Sequence, residues 1–196
     1  MTTEALIAGH RQVWRAATRH PFLDRVREGT LAESPFRRWL EQDHHFVSDL
    51  LSFQARLLAA APRPDQAVLA GGLVALEAEL GWMEGHAARL GLRLDVQPHP
   101  TARAYRQHLE SMLVQSYAAS ITTLWTLERA YLEAWRWAAP GAPAYREFVE
   151  HWTVPEFAGY VARLAAAADR AGPDEAAFLA TARLESEFWE MAAAGE

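Results

Sequence analysis

Cysteine is absent from this 196-residue chain. That excludes disulfides, thiolate-bound metals and a thiol nucleophile. Lysine is absent too, so all 19 basic residues are arginine, and a buried acid in need of a cation must find arginine or histidine. The arginines are scattered and the formal net charge is −6. The basic footprint of a nucleic-acid binder is therefore missing. No apolar run approaches the roughly 20 residues needed to cross a bilayer, and the opening MTTEALIAGHRQVW lacks the basic-then-apolar pattern of a secretory leader. A cytoplasmic, soluble protein with no nucleic-acid and no membrane partner is the expectation. Strand-like alternation of useful length is also lacking.

What is present favours helices. The hydrophobic fraction is 51%, with 8 Trp and 8 Phe, enough for the core of one domain over residues 1–196. Alanine is abundant, while glycine and proline fall mostly between periodic segments. Helices are expected over 3–18, 22–28, 35–60, 65–90, 101–139, 144–152, 155–170 and 174–194, with Ser34 as N-cap ahead of Pro35, Gly29 and Gly91 as stops, and a break near 115–120. The fold class is all-α, a bundle of seven to eight helices with short connections.

Three acids stand where this pattern calls for a core hydrophobe. Asp43 interrupts the stripe Phe36, Leu40, Val47, Leu50; Glu128 interrupts Ile121, Trp125, Leu132, Trp135; Glu185 interrupts Phe178, Ala182, Trp189. All follow i, i+3, i+4, i+7 spacing. Burying an unpaired carboxylate is costly, so one such acid would be read as the partner of a buried arginine. Three in one bundle point instead to a shared polar pocket. Glu187, on the same helix as Glu185, falls off its stripe at 100° per residue, and both it and Glu190 belong in solvent.

Two further groupings carry chemistry. Glu79 and His86 share a helix at a seven-residue spacing, and with Glu128 and Glu185 they offer a carboxylate-rich dimetal set. Such centres usually draw on Glu-x-x-His pairs, which the Glu128 and Glu185 helices lack, so no metal is expected. Phe46, one turn from Asp43, sets a flat apolar wall beside a carboxylate, a combination suited to a planar heterocycle such as a pyrimidine. Tyr105, Tyr131 and Trp152 read as core, the usual place of an aromatic at helical spacing, or else as pocket wall.

Several stretches, taken in order, resemble the TenA family of aminopyrimidine hydrolases and thiaminases II: His20-Pro21-Phe22, Phe36-Arg37-Arg38-Trp39-Leu40-Glu41-Gln42-Asp43, Pro100-Thr101 with Tyr105, and Glu185-Ser186-Glu187-Phe188-Trp189. The resemblance spans Trp14 to Trp189 and implies a heme-oxygenase-like bundle that forms homodimers or homotetramers and uses no cofactor. One branch of that family carries a nucleophilic cysteine in a Pro-Cys-x-Trp segment; here the stretch reads Thr122-Thr123-Leu124-Trp125. The branch without the cysteine is matched by Trp125-Thr126-Leu127-Glu128 with Tyr131 and Trp135, by Glu79-Leu80-Gly81-Trp82, and by His151-Trp152 ahead of Pro155-Glu156-Phe157.

By that resemblance Asp43 bonds the exocyclic amine and adjacent ring nitrogen of a 4-aminopyrimidine, Glu185 is the acid/base residue, and Tyr105 is a pocket hydroxyl. Phe46 and Trp152 fall where the cysteine branch tends to have tyrosines. Glu79, Glu128 and Tyr131 enter on the branch motifs. The implied reaction replaces the amine of an aminomethyl-4-amino-2-methylpyrimidine, or of its N-formyl derivative, by hydroxyl, in thiamin-pyrimidine salvage. Expelling an amine needs a proton donor and forming the alcohol needs an activated water; Glu128 and Glu185, catalytic in this reading, are expected to hold different pKa values and divide those roles. Thiamin itself should stay intact, because Thr123 is a poor substitute for a thiol. The alternatives are a dimetal oxygenase in the same fold and a ligand-sensing protein without catalysis.

Overall fold

The computed structural model describes residues 1–194, as ten helices: α1 (Thr3–Gly9), α2 (Arg11–Thr18), α3 (Pro21–Glu28), α4 (Glu33–Ala60), α5 (Arg63–Leu90), α6 (Pro100–Met112), α7 (Tyr117–Ala138), α8 (Arg146–His151), α9 (Pro155–Ala171) and α10 (Glu175–Ala193). The residues 195–196 lie outside the described part. No described residue is in a strand, and no described helix is long and apolar enough to cross a membrane. The all-α class is as expected; the count is ten rather than seven to eight.

Two splits account for the difference. The stretch 3–18 divides at His10, whose backbone leaves the helical region (φ −123°, ψ 40°) while its N–H closes α1 onto Leu6 and Ile7 and its carbonyl opens α2 by accepting from Trp14. No proline marks that break. The stretch 101–139 divides at 113–116, near the expected break, and Ser116 caps α7 by accepting from the N–H of Ala119 at 3.1 Å. One cap is displaced: α4 starts at Glu33 behind Ala32 rather than at Ser34, and no side chain caps it. Pro35 then sits in the first turn, where its missing N–H has no intrahelical partner to lose. Gly29 and Gly91 do end α3 and α5 in the left-handed region, at φ 74° and 63°.

Helix α7 is the axis of the bundle and packs against α2, α3, α4, α6, α8, α9 and α10. That explains its sequence: residues 119–128 are buried without interruption, as in a helix covered on every side. Beneath the middle of the bundle four indoles gather. Trp39 lies 5.1 Å from Trp135 and 5.3 Å from Trp152, and Trp135 lies 4.5 Å from Trp152; Trp189 stacks on Trp39 at 6.2 Å. These rings come from α4, α7, α10 and the end of α8, so the cluster ties together the helices that carry the three interrupting acids.

Candidate active site

The three apolar stripes converge, and their acids face one cavity of about 790 Å3 bounded by α4, α5, α7, α8, α9 and α10. Helix α4 supplies Asp43 and Phe46, α5 supplies Glu79 and Trp82, α7 supplies Glu128 and Tyr131, α10 supplies Glu185, and His151 and Trp152 close one side. Tyr105 of α6 lies in an inner recess shared with Asp43, Phe46 and Glu185. All eight residues singled out as candidate catalytic or binding groups are thus brought together.

None of the three acids is ion-paired among the described residues. Asp43, 2% exposed, accepts a 3.2 Å hydrogen bond from the Tyr131 hydroxyl at Oδ2. Glu185 accepts from the Tyr105 hydroxyl at Oε1. Glu128 has no hydrogen-bond partner among the described residues and opens on the cavity. Burial disfavours the charged form of each, so all three are displaced upward. Asp43 rises well above the ordinary carboxyl value, first through burial and then through the neighbouring charge of Glu79, against the opposing pull of Tyr131. Glu128 is pushed up to about 8 by burial, then by Glu185 and Glu79. Glu185 is pushed up to about 8 by burial, with Tyr105 pulling the other way.

Glu128 and Glu185 are thus displaced in the same direction, by burial first in each case.

Glu79 has hydrogen-bond partners of another kind. Its Oε2 lies 2.7 Å from Nε2 of His151 and its Oε1 accepts from the Trp152 indole N–H at 2.8 Å. His86 turns away from this group and bonds the Trp82 carbonyl at 3.0 Å and the Glu147 carboxylate. Glu79, His86, Glu128 and Glu185 therefore do not converge, and among the described residues no three His, Asp or Glu side chains form a metal-ligating group. Thr123 is completely buried, its hydroxyl has no partner, and it does not line the cavity; Glu128 does. Glu187 and Glu190 are exposed, as expected.

Several wall residues were not legible in advance. Tyr160 and Phe157 of α9 line the cavity, and Tyr160 bonds the buried Gln54 side chain at 3.1 Å. An added Cβ on Gly72 would lie 2.1 Å from Gln54 Nε2 and 2.5 Å from the Tyr160 hydroxyl, so the glycine makes room for that pair. Gly71-Gly72 within a helical pattern was the only signal.

Comparison with known proteins agrees with the geometry. The profile of the TENA/THI-4/PQQC family matches residues 7–194. A Glycine max protein named "Probable bifunctional TENA-E protein" is 30% identical over 210 residues, an alignment covering 96% of this chain and 92% of the relative. A Halalkalibacterium halodurans protein named "Aminopyrimidine aminohydrolase" is 26% identical over 203 residues, covering 92% and 90%. The crystal structure of a TenA homologue from Pyrococcus furiosus superposes with a TM-score of 0.92 at 30% identity, covering 98% of this chain and 100% of that one.

Proposed function

Since this chain belongs to the TENA/THI-4/PQQC family, we propose that it is an aminopyrimidine aminohydrolase of thiamin-pyrimidine salvage, which converts an aminomethyl-4-amino-2-methylpyrimidine, or its N-formyl derivative, to the hydroxymethyl pyrimidine. One observation carries the reading: three enclosed carboxyls without a cation face a single cavity beside an aromatic wall. Acids kept neutral by burial are donors for a nitrogen-rich ligand, and they give no reason for their cost in a protein without one.

The roles follow from the local chemistry. A protonated Asp43 carboxyl presents one O–H donor and one C=O acceptor side by side, which matches the ring nitrogen and exocyclic amine along the edge of a 4-aminopyrimidine. Tyr131 fixes its orientation. Phe46 supplies a face for the ring, and Trp152 and Glu79 line the same cavity. Glu185 donates a proton to the departing amine, and the Tyr105 hydroxyl stabilises the carboxylate left behind. Glu128 holds a second proton-bearing carboxyl toward the substituent. The dimetal reading loses support because its ligand set does not converge. In keeping with the family resemblance, we propose that it assembles as a homodimer or homotetramer, and we propose a cytoplasmic location for it.

The test is the alkaline limb of the rate profile. If protonated Glu185 is the donor, kcat falls as pH rises through about 8, and Glu185→Gln lowers kcat by roughly 10²- to 10⁴-fold with a much smaller change in substrate affinity. A Glu185→Gln enzyme within threefold of wild type refutes the assignment.

A further inference from the structure

The proposed hydrolysis needs a base as well as an acid, and burial displaces the three carboxyls Asp43, Glu128 and Glu185 toward the protonated form, the form that donates. The remaining titratable groups facing the cavity are Glu79, His151, Glu156, Tyr131, Tyr160 and Arg163. Arginine stays protonated, and burial pushes the Tyr131 and Tyr160 hydroxyls well above their ordinary values. Among Glu79, Glu156 and His151, only the first and last are built into a unit.

That unit is specific. An indole N–H can only donate, so Oε1 of Glu79 is an acceptor toward Trp152, and Oε2 lies 2.7 Å from Nε2 of His151. Placing the imidazole proton on Nε2 leaves Nδ1 as a lone pair, and Nδ1 has no partner among the described residues. The ring lies flat on Trp82, with centroids 3.9 Å apart and planes 1° from parallel, which fixes its tilt. His151 lines the cavity and its side chain is 31% exposed. A carboxylate that fixes the tautomer, a stacked ring and a free second nitrogen at a water-accessible wall are the parts of a general base.

We propose that His151 is the base that activates the attacking water, with Glu79 as its positioning residue. The assignment rests on the hydrolase reading above. The water oxygen forms the new bond to the exocyclic methylene carbon while the C–N electron pair leaves with nitrogen. The water proton passes to Nδ1 of His151, and the Glu185 proton passes to the departing amine. Imidazolium and Glu185 carboxylate remain, and one proton carried between them by solvent restores both. The other charged groups around His151 leave this cycle free: on α5, His86 is engaged by Glu147 of α8, which also takes Arg89, Glu150 is exposed on α8, and Glu156 at the start of α9 is exposed at the cavity edge.

The experiment is chemical rescue in the full-length protein. Turnover of the aminomethyl pyrimidine is measured for wild type, His151→Ala and His151→Phe across pH, with and without added imidazole and 4-methylimidazole. A loss of at least 100-fold in kcat is expected for both variants, with the phenylalanine keeping the stack on Trp82. The acidic limb of the wild-type profile should vanish in both. In His151→Ala the rate restored by each imidazole should follow the neutral fraction of the added base, which a merely structural brace would not produce. A His151→Ala kcat within threefold of wild type, or a rescue independent of the pKa of the added base, overturns the proposal while leaving the hydrolase reading intact. A wild-type protein inert toward the aminomethyl pyrimidine overturns both.

Discussion

Glu128→Gln isolates the cost of the buried acid, because glutamine keeps the shape of glutamate and no partner is lost. With an unfolded-state value of about 4.3 and a folded value of about 8, the native protein binds the Glu128 proton more tightly than the unfolded chain. The sign is then fixed: Glu128 weakens the fold progressively as pH rises from about 4 to 8, and the penalty levels off above that. At 1.36 kcal/mol per pKa unit the penalty is about 2 kcal/mol at pH 6 and about 5 kcal/mol at pH 9. Glutamine carries none of it. The variant should therefore be more stable than wild type, by a margin that grows by roughly 2–3 kcal/mol between pH 6 and pH 9. For a chain of this length that is about 5–10 °C in Tm. Thermal unfolding followed by far-ultraviolet circular dichroism at pH 6, 7.5 and 9 reads the margin directly, and kcat for the aminomethyl pyrimidine should fall at least tenfold in the same variant. A margin that stays flat with pH, or a variant less stable throughout, would refute the claim that Glu128 is an enclosed, unpaired acid.

Asp43 separates two binding modes. If its carboxyl is neutral, Asp43→Asn keeps one donor and one acceptor on the pyrimidine edge and weakens Kd less than fivefold, while Asp43→Ala weakens it by about 10- to 100-fold; isothermal titration showing both variants equally impaired would mean that the acid binds as the anion. Gly72→Ala drives a methyl group into the Gln54–Tyr160 pair and should lower stability by about 1–3 kcal/mol, seen as a fall in Tm; an unchanged Tm would show that the cavity wall yields freely there.

The central features of the site were legible because a period of 3.6 makes an acid in an apolar stripe conspicuous. Asp43, Glu128 and Glu185 were found that way, and the stripes do meet at one cavity. The pairing of Glu79 with His151 was not legible, since the two lie 72 residues apart on α5 and α8 and neither interrupts an apolar stripe. Their hydrogen bond is set by how the helices cross. The similar displacement of Glu128 and Glu185 was hidden for a related reason: it depends on burial and on neighbouring charge, which a one-dimensional pattern does not contain. The split at His10 escaped because both halves keep a helical period and no proline intervenes, whereas the break before Ser116 was anticipated.

Absence of cysteine gives the most direct test. In the thiol-bearing branch of the family, whose cysteine this chain lacks, the thiol adds to the pyrimidine before the thiazole leaves; here Thr123 is buried and faces no part of the cavity. Purified protein is incubated with equal concentrations of the aminomethyl pyrimidine and thiamin, and products are followed by chromatography. The account predicts hydroxymethyl pyrimidine and ammonia from the first and no thiazole from the second. Release of thiazole from thiamin at a comparable rate, or no hydrolysis of the aminomethyl pyrimidine, would contradict it.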